Sequence, residues 1–245
     1  MVDYLELMVD KLKVFKNFMS QQKYLETIYS KNNKPFSKYP SQLVNYLFDR
    51  VNLKKNQKIL ELGCGRGDFI TEFKKKGLDA YGVDISNFSK NFFSDFKFSQ
   101  VDLEKNELPY DDNTFDIIYS KSFIEHFYYP EKIFQEAYRV LKPGGTIITL
   151  TPEWQYIFKS FYEDFTHRVP FTNQSLKDIH LMNNFIDIKV ESFIQLPILF
   201  EKNIKSKFFY CISFLTRKIV PDYFRMSNKW IRFSKEIMLL SIAKK

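Results

Sequence analysis

Three glycines within five positions, Gly63, Gly65 and Gly67, stand in the stretch "ELGCGRGD", between Glu61 and Asp68. The whole chain has only seven glycines, so the concentration here is a feature of this turn. Bare Cα atoms let a chain turn tightly and let a ligand approach its backbone. A dinucleotide fingerprint would read G-x-G-x-x-G, and here the third glycine comes one residue early. No G-K-[ST] follows, which excludes a phosphate-cradling P-loop. Two carboxylates beside the turn would repel a pyrophosphate and suit a cationic nucleoside. Asp84 comes 17 residues after Gly67, at the end of an apolar run and next to Ile85. A carboxylate there can accept both hydroxyls of a ribose. Asp102 ends another run, where it can accept from an adenine amino group, with Leu103 offering its backbone and an apolar wall. Cys64, held between glycines, reads as packing.

The other reactive side chains are sparse. There are three histidines. His126 lies in "SKSFIEHFYYP" and His167 in "EDFTHRVPFT"; both follow strand-like runs, on the edge of a sheet where ligands bind. Histidine is the side chain best suited to take a proton near neutral pH. The reading is that His167, oriented by Asp164, contacts or deprotonates an acceptor, with His126 close by, and that Arg168 binds an acidic group on it. His180 falls inside a helix and reads as filler. The two cysteines, Cys64 and Cys211, form no metal-ligand spacing and no disulfide framework. No metal is expected, and a reducing, cytoplasmic setting is.

These residues need a scaffold. "KILEL" (58–62), "DAYGVDIS" (79–86), "KFSQVD" (97–102), "TFDIIYS" (114–120) and "TIITLT" (146–151) read as strands. Helices are expected between them at 69–77, 87–96 and 130–145, the last closed by Pro143-Gly144-Gly145. "NQSLKDIHLMNNF" then reads as a helix, "IDIKVESF" as a sixth strand and "EIMLLSIAKK" as a seventh. Strands alternating with helices at this spacing give βαβ units and a parallel sheet covered on both faces. Ahead of them, residues 1–56 read as a helical cap. One helix is marked by Tyr4, Leu5, Met8, Val9, Leu12, Phe15, Phe18 and Met19, and a second, "SQLVNYLFDRV", by a Ser41 N-cap. Residues 57–245 form the main domain, with a basic, aromatic insertion at about 196–235.

In order, "ELGCGRGDF", "VDIS", "VDLEKNELPYDDNTFDIIYS" and "RVLKPGG" resemble successive motifs of the class I S-adenosylmethionine-dependent methyltransferases, the small-molecule type-11 group in particular. The resemblance covers about residues 57–151. It implies an α/β, Rossmann-like seven-stranded sheet of order 3-2-1-4-5-7-6, last strand antiparallel, with helices on both faces. It implies that S-adenosyl-L-methionine is the cofactor. Gly63, Gly65 and Gly67 would line its methionine end, with Cys64 in the same turn. Glu61 would anchor the turn and receive the ammonium. Asp84 and Ile85 would serve the ribose, and Asp102 and Leu103 the adenine. Ser120 and Lys121 would border the methyl group, with Lys121 and Arg168 toward the acceptor. Many relatives carry a D-x-T-H-x-x-x-F-T loop, matched here by Asp164, Thr166, His167, Phe171 and Thr172.

The acceptor is less legible. The [DNS]-P-P-[YFW] motif of amino-methylating DNA enzymes and a Pro-Cys for cytosine are both absent after the fourth strand, which disfavours base methylation. A hydroxyl on a sugar or glycan precursor, or a lipid-like acceptor, is expected. RNA or protein methylation and a non-catalytic binding module are the alternatives. The net charge of +8 is uneven: residues 195–245 carry 11 Lys and Arg against 3 acids, while residues 59–194 carry 15 against 21. A strong bias of Lys over Arg would raise the overall charge, but it leaves the acidic middle unexplained. The insertion reads first as a lid or dimer face, and otherwise as a segment that contacts a membrane surface or RNA. No apolar run approaches the ~20 residues that span a bilayer.

Overall fold

A computed structural model describes residue 27 and residues 35–87, 96–201 and 203–245. The helix expected over Tyr4 to Met19 lies outside the described residues, as does all but the ends of the one expected at 87–96. The seven strands are β1 (Lys58–Leu62), β2 (Asp79–Asp84), β3 (Lys97–Gln100), β4 (Phe115–Lys121), β5 (Leu141–Pro152), β6 (Ile186–Phe193) and β7 (Met238–Lys244). They form one sheet of order β3-β2-β1-β4-β5-β7-β6. Pairing is parallel from β3 through β5, and β7 runs antiparallel to both β5 and β6. This is the architecture that the motifs implied.

The sheet is apolar on both sides because successive side chains point to opposite faces. Ile59, Ile117, Ile148 and Leu240 join one buried cluster, under α1 (Tyr39–Val51) and α2 (Asp68–Lys75). Leu60, Ile118, Ile147 and Leu239 join the other, under α3 (Pro130–Val140) and α5 (Asn173–Met182). Each fully buried Leu or Ile of these clusters contributes about 1.5–3 kcal/mol. A one-turn helix, α4 (Trp154–Ile157), follows β5. α3 buries Pro130, Ile133, Phe134, Ala137 and Val140, a single stripe at helical spacing. Its Arg139 donates to the carbonyls of Leu108 and Tyr110 and to Glu136 and Asp112. That ties the loop before β4 to the helix after it.

Two boundaries differ from expectation. α3 ends at Val140, and Pro143-Gly144-Gly145 belongs to β5, because Leu141 already pairs with Phe115. Gly144, at φ +75°, takes up the bend where the register shifts. α1 begins at Tyr39 with Pro40 in its first turn, ahead of Ser41, and Lys38 occupies the cap position without a side-chain bond. The insertion is a helical pair, α6 (Ile204–Ile219) and α7 (Lys229–Lys235). Asn203 and Ser206 form a reciprocal cap at the start of α6. The pair is clasped by a buried Ser213–Ser234 hydroxyl bond of 2.9 Å and by Trp230 Nε1 donating to Thr216 Oγ1.

Candidate active site

β1 delivers the glycine turn to the C-terminal edge of the sheet. Gly63, Gly65 and Gly67 all take positive φ, at +69°, +51° and +86°, the left-handed region that costs other residues strain. The N–H groups of Gly63 and Cys64 both donate to the Val83 carbonyl, which pins the turn to β2. Asp84 completes the link: one carboxylate oxygen accepts from Gly65 N–H at 2.8 Å and the other from Ser86 N–H at 2.9 Å. Its carboxylate is thereby fixed at the crevice and keeps lone pairs on both oxygens. Burial pushes its pKa up, against the backbone donors that lower it. Cys64 packs against Gly82, where an added Cβ would stand 3.0 Å from its sulfur. Burial also raises the Cys64 thiol pKa well above its usual range, so it stays a packed, neutral thiol.

Glu61 is buried with one oxygen, Oε2, lacking any hydrogen-bond partner. Burial raises its pKa well above the carboxylate range; the Asp68 and Asp84 charges add to the rise, and the Lys121 charge opposes it. Asp68 differs from the sequence reading, because it is matched by Arg66 at 2.7 Å. The negative lining of the crevice is therefore Glu61 and Asp84. Desolvated acids that repel one another are relieved by a positive ligand and worsened by an anionic one. The turn itself offers a cradle: a Cβ built on Gly65 meets nothing within 4 Å. A bare, open Cα beside two buried carboxylates fits a cationic nucleoside, and the residues present meet that requirement.

The remaining candidates divide. Asp102 accepts from Glu104 N–H and pairs with Lys105 at 2.7 Å, so its carboxylate closes its own turn. The Leu103 side chain lies in the core cluster with Val83 and Ile118. Ile85 follows Asp84, and its carbonyl accepts from Gln100 Nε2. Ser120, at the end of β4, is buried with its hydroxyl unpartnered. Lys121, next to it, is electrostatically coupled to both Glu61 and Glu125.

Beyond β4 the chain brings His126 and His167 together, with ring centres 4.9 Å apart. Their orientation differs from expectation. Asp164 Oδ1 accepts from the Thr166 hydroxyl at 2.5 Å, and Thr166 Oγ1 lies 3.0 Å from His126 Nδ1. That hydroxyl has one proton, and Asp164 takes it, so His126 must donate from Nδ1. With Nδ1 as the donor, the neutral ring keeps its lone pair on Nε2; the Thr166 and Ser122 carbonyls also lie beside the ring. Burial lowers the His126 pKa below its usual value, with Asp164 opposing, so the ring is neutral at pH 7. His167 is set instead by the Phe161 carbonyl, 2.6 Å from Nδ1, and stands 4.0 Å from Asp164. Asp164 thus orients His126 through Thr166. Arg168 donates to the carbonyls of Phe165 and His167 and lies over the Tyr128 ring, which bends the guanidinium back toward its own loop. Phe171 is core and Thr172 caps α5. His180 is buried in the core against Phe134, away from the site.

Sequence reasoning missed Glu125. It is fully buried. Its Oε2 accepts from Thr151, its Oε1 has no partner, and its backbone carbonyl accepts from Arg168 and Val169 N–H. Burial raises its pKa, and the His167 and Lys121 charges oppose that. The available signal was an acid set beside a histidine in the otherwise apolar "SFIEHFYY". One donor atom from each of Glu125, His126 and His167 lies within 4.8 Å of the others. A group centred among them would sit within about 2.8 Å of each, inside hydrogen-bonding reach. Phe123, in the same loop, lies on Gly63, where an added Cβ would fall 2.1 Å from its ring.

Comparison with known proteins agrees with the fold. The family model Methyltransf_11, described as a methyltransferase domain, matches residues 60–149. Phosphoethanolamine N-methyltransferase 3 of Arabidopsis thaliana is 30% identical over 167 residues, covering 60% of this chain and 33% of that protein. Sterol 24-C-methyltransferase of Candida albicans is 30% identical over 110 residues, covering 41% and 29%. The chain thus spans about a third of the length of the curated relatives it matches. Haemonchus contortus phosphoethanolamine N-methyltransferase 2, solved with phosphomonomethylethanolamine and S-adenosylhomocysteine, superposes with a TM-score of 0.62 at 20% identity, over 91% of this chain and 59% of that one. At that identity the likeness shows the fold.

Proposed function

We propose that this chain is a class I S-adenosylmethionine-dependent methyltransferase that methylates a small molecule whose N–H or O–H group lies among Glu125, His126 and His167. The observation that carries the reading is the pair of buried carboxylates, Glu61 and Asp84, beside the open Cα of Gly65. When bound, S-adenosylmethionine supplies an activated methyl group on a sulfonium. Gly63, Gly65 and Glu61 would hold its amino-acid end, Asp84 its ribose and the Asp102–Leu103 turn its adenine, with Ser120 and Lys121 nearest the reacting carbon.

The chain's own chemistry is on the acceptor side. His126, neutral and aimed by the Asp164–Thr166 relay, offers Nε2 to the acceptor proton. The acceptor proton would pass to the imidazole nitrogen, and the Asp164 charge would steady the resulting imidazolium. A hydroxyl needs this help most, which favours an O–H acceptor on a sugar, glycan precursor or lipid-like molecule. An amine is the second reading. Two relatives act, by name, on phosphoethanolamine, and an ammonium must also lose a proton before it can attack.

Calorimetry with S-adenosylhomocysteine tests the cofactor half. One-to-one binding is expected, unaffected by NADH or uridine diphosphate. Asp84→Ala should weaken it by about tenfold or more, since hydrogen bonds to a charged group contribute about 1.5–3 kcal/mol. No binding of the thioether, or displacement by the diphosphates, would overturn the reading. A screen of hydroxyl and amine acceptors with methyl-labelled cofactor then decides the acceptor class.

A further inference from the structure

We propose that α6 is a membrane-docking helix that lays its outer face on an anionic lipid surface. The helix is built inside out. The side it turns toward the protein carries Ser206, Phe209, Ser213, Thr216 and Arg217. Ser206 caps the helix start, and Ser213 meets Ser234. Thr216 accepts from Trp230, and Arg217 donates to the Ser234 carbonyl. The opposite side is a stripe of Ile204, Phe208, Cys211, Leu215 and Ile219, spaced by four, three, four and four residues along one face. Its members stand in solvent: Ile204 is 85% exposed, Phe208 62%, Leu215 52% and Ile219 73%. A helix of a water-soluble domain places such a stripe on the core. Here the core side combines Ser206 and Ser213 with Phe209, which packs on Trp230, so packing within the described residues is already met there and does not account for the exposed stripe.

Charge selects the occupant. α6 contains no acid and four cations. Lys205 flanks the stripe on one side, and Lys207 and Lys218 on the other, where long side chains can reach past an apolar face to lipid headgroups. In the segment after the helix, Tyr223, Phe224 and Met226 are exposed as well. Among the described residues no helix is long and apolar enough to cross a membrane, and α6, at 16 residues, is suited to lying in the interface instead. The Glu125–His126–His167 cluster lies outside this insertion, so docking does not depend on the acceptor reading.

The test is sedimentation of the full chain with vesicles of phosphatidylcholine, alone or mixed with phosphatidylserine. Binding to the mixed vesicles should be at least about tenfold tighter and should fall with added salt, since each lysine near an anionic leaflet adds roughly fivefold. The double substitution Phe208→Asp with Leu215→Asp should abolish sedimentation. Lys205→Glu with Lys207→Glu should remove the preference for phosphatidylserine. Both variants should keep the thermal shift with S-adenosylhomocysteine, which separates lost docking from lost folding. Three results would overturn the proposal. One is no sedimentation with either vesicle; a second is sedimentation that the aspartate pair leaves unchanged. The third is a wild-type dimer by light scattering that the aspartate pair dissolves, since the stripe would then be an interface between copies. Binding to RNA but not to vesicles, lost in the lysine variant, would likewise assign the face to nucleic acid.

Discussion

At Gly63 and Gly65 the same substitution meets two different obstacles. Both residues need a left-handed backbone, which costs an alanine about 1–2 kcal/mol. At Gly65 that is the whole cost, because the new methyl enters open space. At Gly63 the methyl also falls on the Phe123 ring. Gly65→Ala should therefore fold with a modest loss of melting temperature and chiefly weaken S-adenosylhomocysteine. Gly63→Ala should lose both stability and ligand, and Phe123→Ala in the same chain should restore part of the stability. Scanning calorimetry of the three variants tests the contrast. The histidine relay makes a second prediction. Thr166→Val keeps the shape of the residue but removes the group that fixes the His126 tautomer. Turnover should drop by about tenfold to a hundredfold, with cofactor affinity unchanged. Because burial lowers the His126 pKa, a base at this position is in its working form from below pH 6.5 upward. The rate should rise with pH through that lowered value and then stay level; a rate still climbing above pH 7 would remove His126 from the role. The glycines and both histidines stood out because each is a rare residue type near a strand end, and Asp84 because it closes an apolar run. Glu125 was not, since its importance lies in burial and in a missing partner, and neither is written in residue spacing.

At the scale of elements, α5 and β7 share one titratable contact. His180 is enclosed in the core, with Nδ1 at 2.6 Å from the Leu176 carbonyl and Nε2 at 3.3 Å from the Ser241 hydroxyl. Burial lowers its pKa from 6.5 to about 4. The unfolded chain therefore binds this proton more readily than the folded one. Its neutral form contributes stability that is complete above pH 6.5 and is lost as pH falls from there toward about 4. The loss is on the order of 3 kcal/mol. His180→Gln should be less stable at pH 8 but should show a shallower decline in urea-unfolding free energy between pH 6.5 and 4. The helices and strands themselves were legible where hydrophobic period was clear, as in α3, β1 and β6. Pro143-Gly144-Gly145 misled because its residues end helices in general, while here Leu141 pairs with Phe115 before they are reached. That pairing is a contact across 26 residues of chain, which local composition does not record. Asp102 shows the same limit: its place at a strand end was readable, but its bond to Lys105 was not.

Across the whole molecule, the sheet order came from the family resemblance and not from periodicity, because period says which face a strand buries and not which strand lies beside it. The most consequential item of that order is β7. It lies inside the sheet, between β5 and β6, and the Lys245 ammonium just beyond it holds the carbonyls of Tyr138 and Arg139 and the Asn113 side chain. Deleting residues 237–245 should therefore remove far more than an edge. β5 would lose one of its two neighbours, β6 would lose its only strand partner among the described residues, and the product should be digested by a dilute protease that spares the intact chain. The same topology sets a schedule for synthesis. On a ribosome, β6 and the greasy helix α6 leave the exit tunnel before the strand that anchors them to the rest, so both must wait unmoored until β7 emerges, which makes that interval the one in which a nascent chain most needs shelter by a chaperone or a nearby bilayer.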